Sequence, residues 1–198
     1  QQALSSIWND DTALTEKQAN DFGMTLADIT NLDPSVAKNV IWSIKLHSLF
    51  ALLKTRYSMG DMDFSCCGIL FCKAMELQLK KCLLPAFKNH FPTINFNGKN
   101  LENTTEHNVM IGIFTQVLRD ESRREQLATC HSIINGQPCD RKWWDIYFER
   151  LVEFKALRNQ CCHTDKFAWQ HVEDLLDVLF QRREFLNTLV GRSLCGQR

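Results

Sequence analysis

The stretch Ala156-Leu157-Arg158-Asn159-Gln160-Cys161-Cys162-His163-Thr164-Asp165 decides how the rest of the chain is read. Upstream of it, Trp143, Ile146, Tyr147, Leu151, Phe154 and Leu157 recur at helical spacing, so one face of a long helix is apolar. Asn159 and His163 then stand four apart, neighbours on one helical face. Arg158 precedes His163 by five residues, roughly 140° round and about 7.5 Å along an ideal helix. Cys162 falls four after Arg158, so Arg and His flank a shallow groove instead of touching. A flexible guanidinium and an imidazole brought near one another can stabilise phosphate charge and move a proton. That is the minimum needed to cleave RNA without a metal.

The Arg158-Asn159-Gln160-Cys161-Cys162-His163 pattern resembles the signature of the HEPN superfamily, an Arg followed four to six residues later by a His. The interval here is four residues, and a polar residue directly follows the Arg, as is common in that family. The motif closes a long amphipathic helix and another strong helix follows. Upstream, Ala74-Met75-Glu76-Leu77-Gln78-Leu79-Lys80-Lys81 looks like the family's earlier core helix. The resemblance implies an all-α domain, a helical bundle of about five to seven helices, that dimerises so that two motifs face one cleft. It also implies a metal-independent endoribonuclease leaving a 2′,3′-cyclic phosphate and a 5′-hydroxyl, with His163 moving the proton, Arg158 stabilising phosphate charge and Asn159 orienting the phosphate or the His. Proteins of this family are often toxins or antiviral-defence effectors, paired with or fused to a sensor or antitoxin partner.

A structural reading of the same residues stands beside this one. Arg158 anchors an acidic residue of a neighbouring helix, Asn159 is exposed, and His163 ends the helix, where the dipole favours imidazolium. Glu76 likewise has two readings. It is an exposed partner of Lys80, worth about 0.2–0.5 kcal/mol, or it is a polar residue facing the Arg158–His163 cleft. If Arg158 is catalytic and solvent-facing, its loss should change stability by no more than about 1 kcal/mol; as a buried anchor its loss should cost about 3–5 kcal/mol. The non-enzymatic alternative is a catalytically silent all-α interaction and dimerisation module.

With 198 residues, 44% apolar and 10% aromatic, the chain reads as globular and long enough for one sizeable core. Lys+Arg and Asp+Glu balance at 23 each, so no global field draws it onto nucleic acid, and RNA binding would need a local cleft. No apolar run of membrane-spanning length is expected, the strongest candidate, Cys66 to Leu70, being followed by Lys73 and Glu76. Nine Cys in a helix-rich chain without a secretory signal suggest a reduced, cytoplasmic protein whose thiols act as small apolar residues; Cys66, Cys67, Cys72 and Cys82 sit in apolar helical surroundings. The chain opens on Gln1, which fits a piece of something longer.

The organisation expected is an N-terminal extension with one helix (1–33), a HEPN-like helical domain (34–191) and a polar tail (192–198). Thr15 opens a helix running to about Ile29; Asp33 and Pro34 start another that ends near Tyr57, in which His47 reads as a satisfied core or surface residue ahead of a catalytic one. Gly60 to Asp63 breaks it, Asp63 or Ser65 caps the next, and Phe64 to about His90 is helical unless Pro85 opens a new helix. Phe91 to Thr105 is a loop. Thr105-Glu106 caps a helix from about Asn108 to Leu118, and Leu127, Ile133 and Ile134 lie on a second piece beyond the Arg119–Arg124 charge cluster. Asn135 to Pro138 is a turn, Asp140 caps the motif helix, and Thr164 or Asp165 caps a last helix carrying Phe167 through Leu189. Of the tandem Trp143-Trp144, one ring faces the core and the other sideways. Excess apolar helical face and this Trp pair point to a homodimer through the motif-bearing helices.

Other chemistry is poorly supplied. Cys130, His131, Cys139, Cys161, Cys162 and His163 match no common zinc spacing, so no metal is expected. Phosphate-loop and dinucleotide fingerprints are missing, and no cofactor is implied. Cys162 and His163 are adjacent, so their side chains diverge on a helix.

Overall fold

A computed structural model describes residues 14–57, 62–96, 98–105, 109–130, 133–134, 137–163 and 166–181. It is all-α. Two short helices, α1 (Glu16–Asn20) and α2 (Leu26–Thr30), precede α3 (Pro34–Arg56), α4 (Ser65–Cys82), α5 (Leu84–His90), α6 (Ile111–Leu118), α7 (Glu121–Cys130), α8 (Arg141–His163) and α9 (Trp169–Leu176). A π-type turn, Asp177–Gln181, continues α9. Seven of these helices have seven residues or more, within the range expected from the sequence.

The single N-terminal helix expected from Thr15 to Ile29 is two helices. Thr15 closes a capping box with Gln18, its hydroxyl oxygen accepting from the Gln18 amide at 3.1 Å. Ten residues on, Thr25 closes a second box with Asp28. A second N-cap demands non-helical backbone. Gly23 supplies it at φ +67, in the left-handed region that favours glycine. Both short helices pack into the core through Ala19, Phe22, Met24 and Ile29.

Asp33 caps α3 through the Ser35 amide at 2.9 Å and also ion-pairs with Lys81 near the end of α4. That pair ties the start of one central helix to the end of the next. By length and composition alone α3 is long and apolar enough to cross a membrane, which corrects the expectation that no run of that length is present. It packs along α4, with Val36, Val40 and Ile44 fully buried. Pro85 opens α5 at its first turn, where a missing N–H costs nothing, so the helix expected to His90 is a pair.

Two small hairpins interrupt the helices: Asn95–Phe96 (β1) with Lys99–Asn100 (β2), and Ile133–Ile134 (β3) with Gln137–Pro138 (β4), both antiparallel. The first lies in the expected loop. The second corrects the helical placement of Ile133 and Ile134. An Asn-Gly dipeptide between β-branched and extended residues is a strong hairpin signal, and it outweighs the helical period there. Gly60, Asp61, Glu106, Asn108, Asn135, Gly136, Thr164, Asp165, Leu186 and Leu189, which carried expected breaks, caps or helical faces, lie outside the described residues.

Helices α4 and α8 are the two centres of packing. The first meets α3, α5, α8 and α9; the second meets α4, α6, α7 and α9. Phe71, Met75 and Leu79 from α4 and Trp144, Tyr147, Leu151 and Phe154 from α8 are all buried, as the period around the opening stretch requires. Where the helices cross, α4 carries Gly68. A Cβ there would lie 2.7 Å from Cys161 Sγ and 2.8 Å from Phe167 Cε1. Gly68→Ala therefore opposes two effects. Ala is the better helix former by about 0.5–1 kcal/mol, but both clashing groups are buried and held, and overpacking costs about 1–3 kcal/mol. The net expectation is a loss of about 1–2 kcal/mol, read by urea denaturation; a more stable Gly68→Ala variant would show that the helices can separate.

Candidate functional site

The face that α4 turns to α8 is the row Ser65, Gly68, Cys72 and Glu76, three or four residues apart and hence one above another. Against it α8 sets Cys161 and, one turn earlier, Arg158. The Cys161 thiol donates to the Ser65 carbonyl at 3.2 Å, and Arg158 Nε donates to Glu76 Oε1 at 2.8 Å. Later residues of α8 thus meet earlier residues of α4, and the two helices run antiparallel. The row is a cause of the site: a small residue at 68 lets the backbones approach closely enough for Arg158 to reach Glu76.

Glu76 does face Arg158, and among the described residues it makes no ion pair with Lys80. The two side chains are 20% and 23% exposed, which makes the pair neither solvent-screened nor fully buried. Burial disfavours the Arg158 cation, but the charge and hydrogen bond of Glu76 more than offset this, and the guanidinium titrates above its ordinary value. Arg158 Nη1 also donates to Asn159 Oδ1 at 3.3 Å. Two partners therefore hold Nε and Nη1, while Nη2 has no hydrogen-bond partner among the described residues.

Arg124 shows what a purely structural arginine looks like in this fold. It is 6% exposed, donates from Nε to Asp145 at 2.5 Å and from Nη1 to the Arg119 and Leu118 carbonyls at the end of α6, and brings Nη2 to within 4.0 Å of Glu121. Its whole fork is committed to the protein. Arg158 keeps one edge open, and that edge is the difference that matters chemically.

Asn159 and His163 are exposed on α8, and His163 is its last residue. No hydrogen-bond partner reaches the His163 ring among the described residues. The structure thus brings Glu76, Arg158 and Asn159 together and leaves His163 on the exposed end of the same helix, one residue after the exposed Cys162.

Thiols surround the arginine more densely than spacing suggested. Cys161 is buried against Cys72, and the Cys72–Cys161 hydrogen bond raises the Cys72 thiol well above its ordinary value while lowering that of Cys161, which burial opposes and Arg158 assists. Burial also pushes the Cys162 thiol up, against the pull of Arg158. Cys67, Cys72 and Cys82 are core residues as expected, but Cys66 is exposed, because it falls on the side of α4 away from α8 and α3. Among the described residues no group of three His, Cys, Asp or Glu side chains converges as a metal site would.

Asp63 was legible only as a cap. Its carboxylate accepts from the Ser65 amide at 3.0 Å and the Ser65 hydroxyl at 2.7 Å, and also from the Phe167 amide at 3.0 Å. The Phe64 amide returns a bond to the Phe167 carbonyl at 2.9 Å. The segment entering α4 is thereby stitched to the segment after the motif helix. These bonds hold the Asp63 carboxyl below the ordinary carboxylate range, Ser65 contributing most. A carboxyl with a depressed folded pKa stabilises the fold above its unfolded value near 4 and loses that contribution as pH falls through the folded value. Asp63→Asn should therefore flatten the acid limb of a stability-versus-pH curve; an unchanged limb below pH about 4 would show that these bonds are not made in solution.

The Trp pair divides as expected. Trp144 is buried, and Trp143 stacks on Tyr147 with centroids 5.1 Å apart and planes at 14°. Compared with protein-family models, with curated proteins and with solved structures, the chain matches none.

Proposed function

We propose that the chain is a HEPN-like, metal-independent endoribonuclease whose site is built on α4 and α8. The observation that carries this reading is the Arg158 guanidinium. Glu76 and Asn159 orient it and leave an N–H edge open, on the helix whose end presents an exposed His163. A phosphate oxygen fits that edge, since a planar guanidinium offers donors in a fixed fork. In the reaction the 2′-oxygen attacks the adjacent phosphorus and the 5′-oxygen of the next nucleotide departs. His163 takes the proton from the attacking hydroxyl or gives one to the leaving oxygen. Arg158 neutralises the charge building on phosphorus-bound oxygen. Glu76 is a positioning residue, and Asn159 orients Arg158 or the phosphate. A homodimer, with two motifs facing one cleft, would supply the local positive charge that a chain of zero net charge lacks. A role as a toxin or defence effector, with a sensor or antitoxin partner, belongs to the same reading.

The ion pair also supports a second reading, a silent all-α interaction module in which Arg158 only anchors Glu76. One experiment separates the two. Protein at tens of micromolar is incubated with mixed RNA in EDTA, and product ends are analysed. Because both proton transfer and charge stabilisation are assigned to side chains, cleavage should persist in chelator and leave 2′,3′-cyclic phosphate and 5′-hydroxyl ends. RNA left intact under every condition, or cleavage that needs added magnesium or zinc, would sink the nuclease reading. Light scattering in the same buffer should show a dimer, and a strict monomer would count against the shared cleft.

A further inference from the structure

A cavity of about 340 Å³ opens between α1, α3 and α9, formed without Glu76, Arg158 or any other residue of the motif. Phe22, Ala51, Leu176 and Phe180 supply its apolar wall, and Asp21, His47 and Ser48 its polar groups. The π-type turn Asp177–Gln181 places Phe180 there, edge-on to Phe22 at 5.4 Å. Such wide turns are rare and are found frequently at functional sites. The volume lies at the small end of the range for ligand pockets.

The polar groups share one property: they offer lone pairs. The Ser48 hydroxyl gives its hydrogen to the Ile44 carbonyl at 2.9 Å, so toward the cavity it can only accept. Asp21, exposed at the rim, is acceptor-only as a carboxylate and has no ion-pair partner among the described residues. His47 is clamped between rings, stacked on Trp169 at 5.0 Å and edge-on to Phe22 at 5.1 Å, and no hydrogen-bond partner reaches it among the described residues. Burial holds its imidazole toward the neutral form against the opposing pull of Glu173, so one ring nitrogen also accepts. Among the described residues no Lys or Arg lines the cavity; Lys54, over the Trp169 ring at 5.2 Å, is not among the lining residues. Three acceptors with no cation beside them among the described residues select against phosphate and carboxylate. Aromatic faces beside a free carboxylate favour positive charge.

We propose that this cavity binds a small organic cation, an ammonium group carried on an apolar body, with the ammonium at Asp21 and the body against Phe22 and Phe180. The site is independent of the ribonuclease reading. The test uses three probes of matched shape on the full chain: 2-phenylethylammonium, neutral 2-phenylethanol and anionic 3-phenylpropionate. Calorimetry reads affinity and amide chemical shifts read location. The ammonium should bind at least about tenfold more tightly than the alcohol, shifting the amides of Phe22, Ser48 and Phe180, and the carboxylate should not bind. Asp21→Asn, at an exposed position, should bring the ammonium down to the level of the alcohol without weakening the alcohol. Ala51→Phe, which fills the cavity, should weaken both. Equal or tighter binding of the alcohol or the carboxylate overturns the proposal. So do an ammonium preference that survives Asp21→Asn, shifts confined to another surface, and no binding of any probe to the folded wild type.

Discussion

His163→Ala and Arg158→Ala are expected to abolish the same activity while differing in stability. Removing a general acid or base costs about 10²–10⁴-fold in rate. His163 is exposed at the end of α8, so its loss should leave the melting temperature where it was. Arg158 is different. Its loss leaves the Glu76 carboxylate 20% exposed and without its 2.8 Å partner. Breaking a fully buried pair costs about 3–5 kcal/mol; partial solvent access at both residues lowers the expectation to about 1.5–3 kcal/mol. This lies above the 1 kcal/mol ceiling that a freely solvated arginine implies. The Glu76→Ala, Arg158→Ala double variant should recover part of that loss, since no charge is then stranded. A double variant no more stable than Arg158→Ala would mean that Glu76 finds other solvation. Cleavage surviving in His163→Ala would remove the imidazole from the mechanism, whatever Arg158 does.

The second large effect concerns the core beneath the site. Trp144 is buried, and its indole Nε1 meets no acceptor among the described residues. Trp144→Ala should cost about 3–5 kcal/mol through lost burial and the cavity left behind, a fall of roughly 6–20 °C in melting temperature for a chain of this size. Trp144→Phe should cost under about 1.5 kcal/mol. It removes a buried donor whose desolvation costs about 1–3 kcal/mol, and this offsets much of the smaller cavity. Equal losses for the two variants would show that Nε1 is satisfied in solution. Thermal melts of both variants decide it.

The helical period around the motif carried the architecture. Tyr147, Leu151 and Phe154 are core residues because the spacing that defines an amphipathic face also defines which side is buried. Asp140 was legible as the cap of α8, since a short acceptor before a helical run has one local use; the Trp143 amide reaches it at 2.8 Å. What was not legible is tertiary. Nothing local distinguishes Glu76 as a partner of Lys80 from Glu76 as a partner of Arg158, because the answer depends on how closely α4 and α8 approach at Gly68. The Asp63–Phe167 link spans 104 residues and leaves no pattern in either segment. The cavity lined by Phe22, His47 and Phe180 draws on three helices far apart in sequence, and His47 alone reads as a satisfied core or surface residue. Thr25, by contrast, carried a capping-box signal that the longer hydrophobic period concealed.

The separation of 82 residues between Glu76 and Arg158 bears on when the site exists. Helices α3 and α4 are close in sequence and form a hairpin that can collapse early, because short loops close at little entropic cost. Its face of Ser65, Gly68, Cys72 and Glu76 then waits for α8, whose first residue, Arg141, lies 59 positions after Cys82, the last of α4. A chain still on the ribosome therefore holds the carboxylate half of the site without its arginine. Under the proposed ribonuclease reading, a nascent chain whose α8 has not yet emerged would carry no activity against the message encoding it.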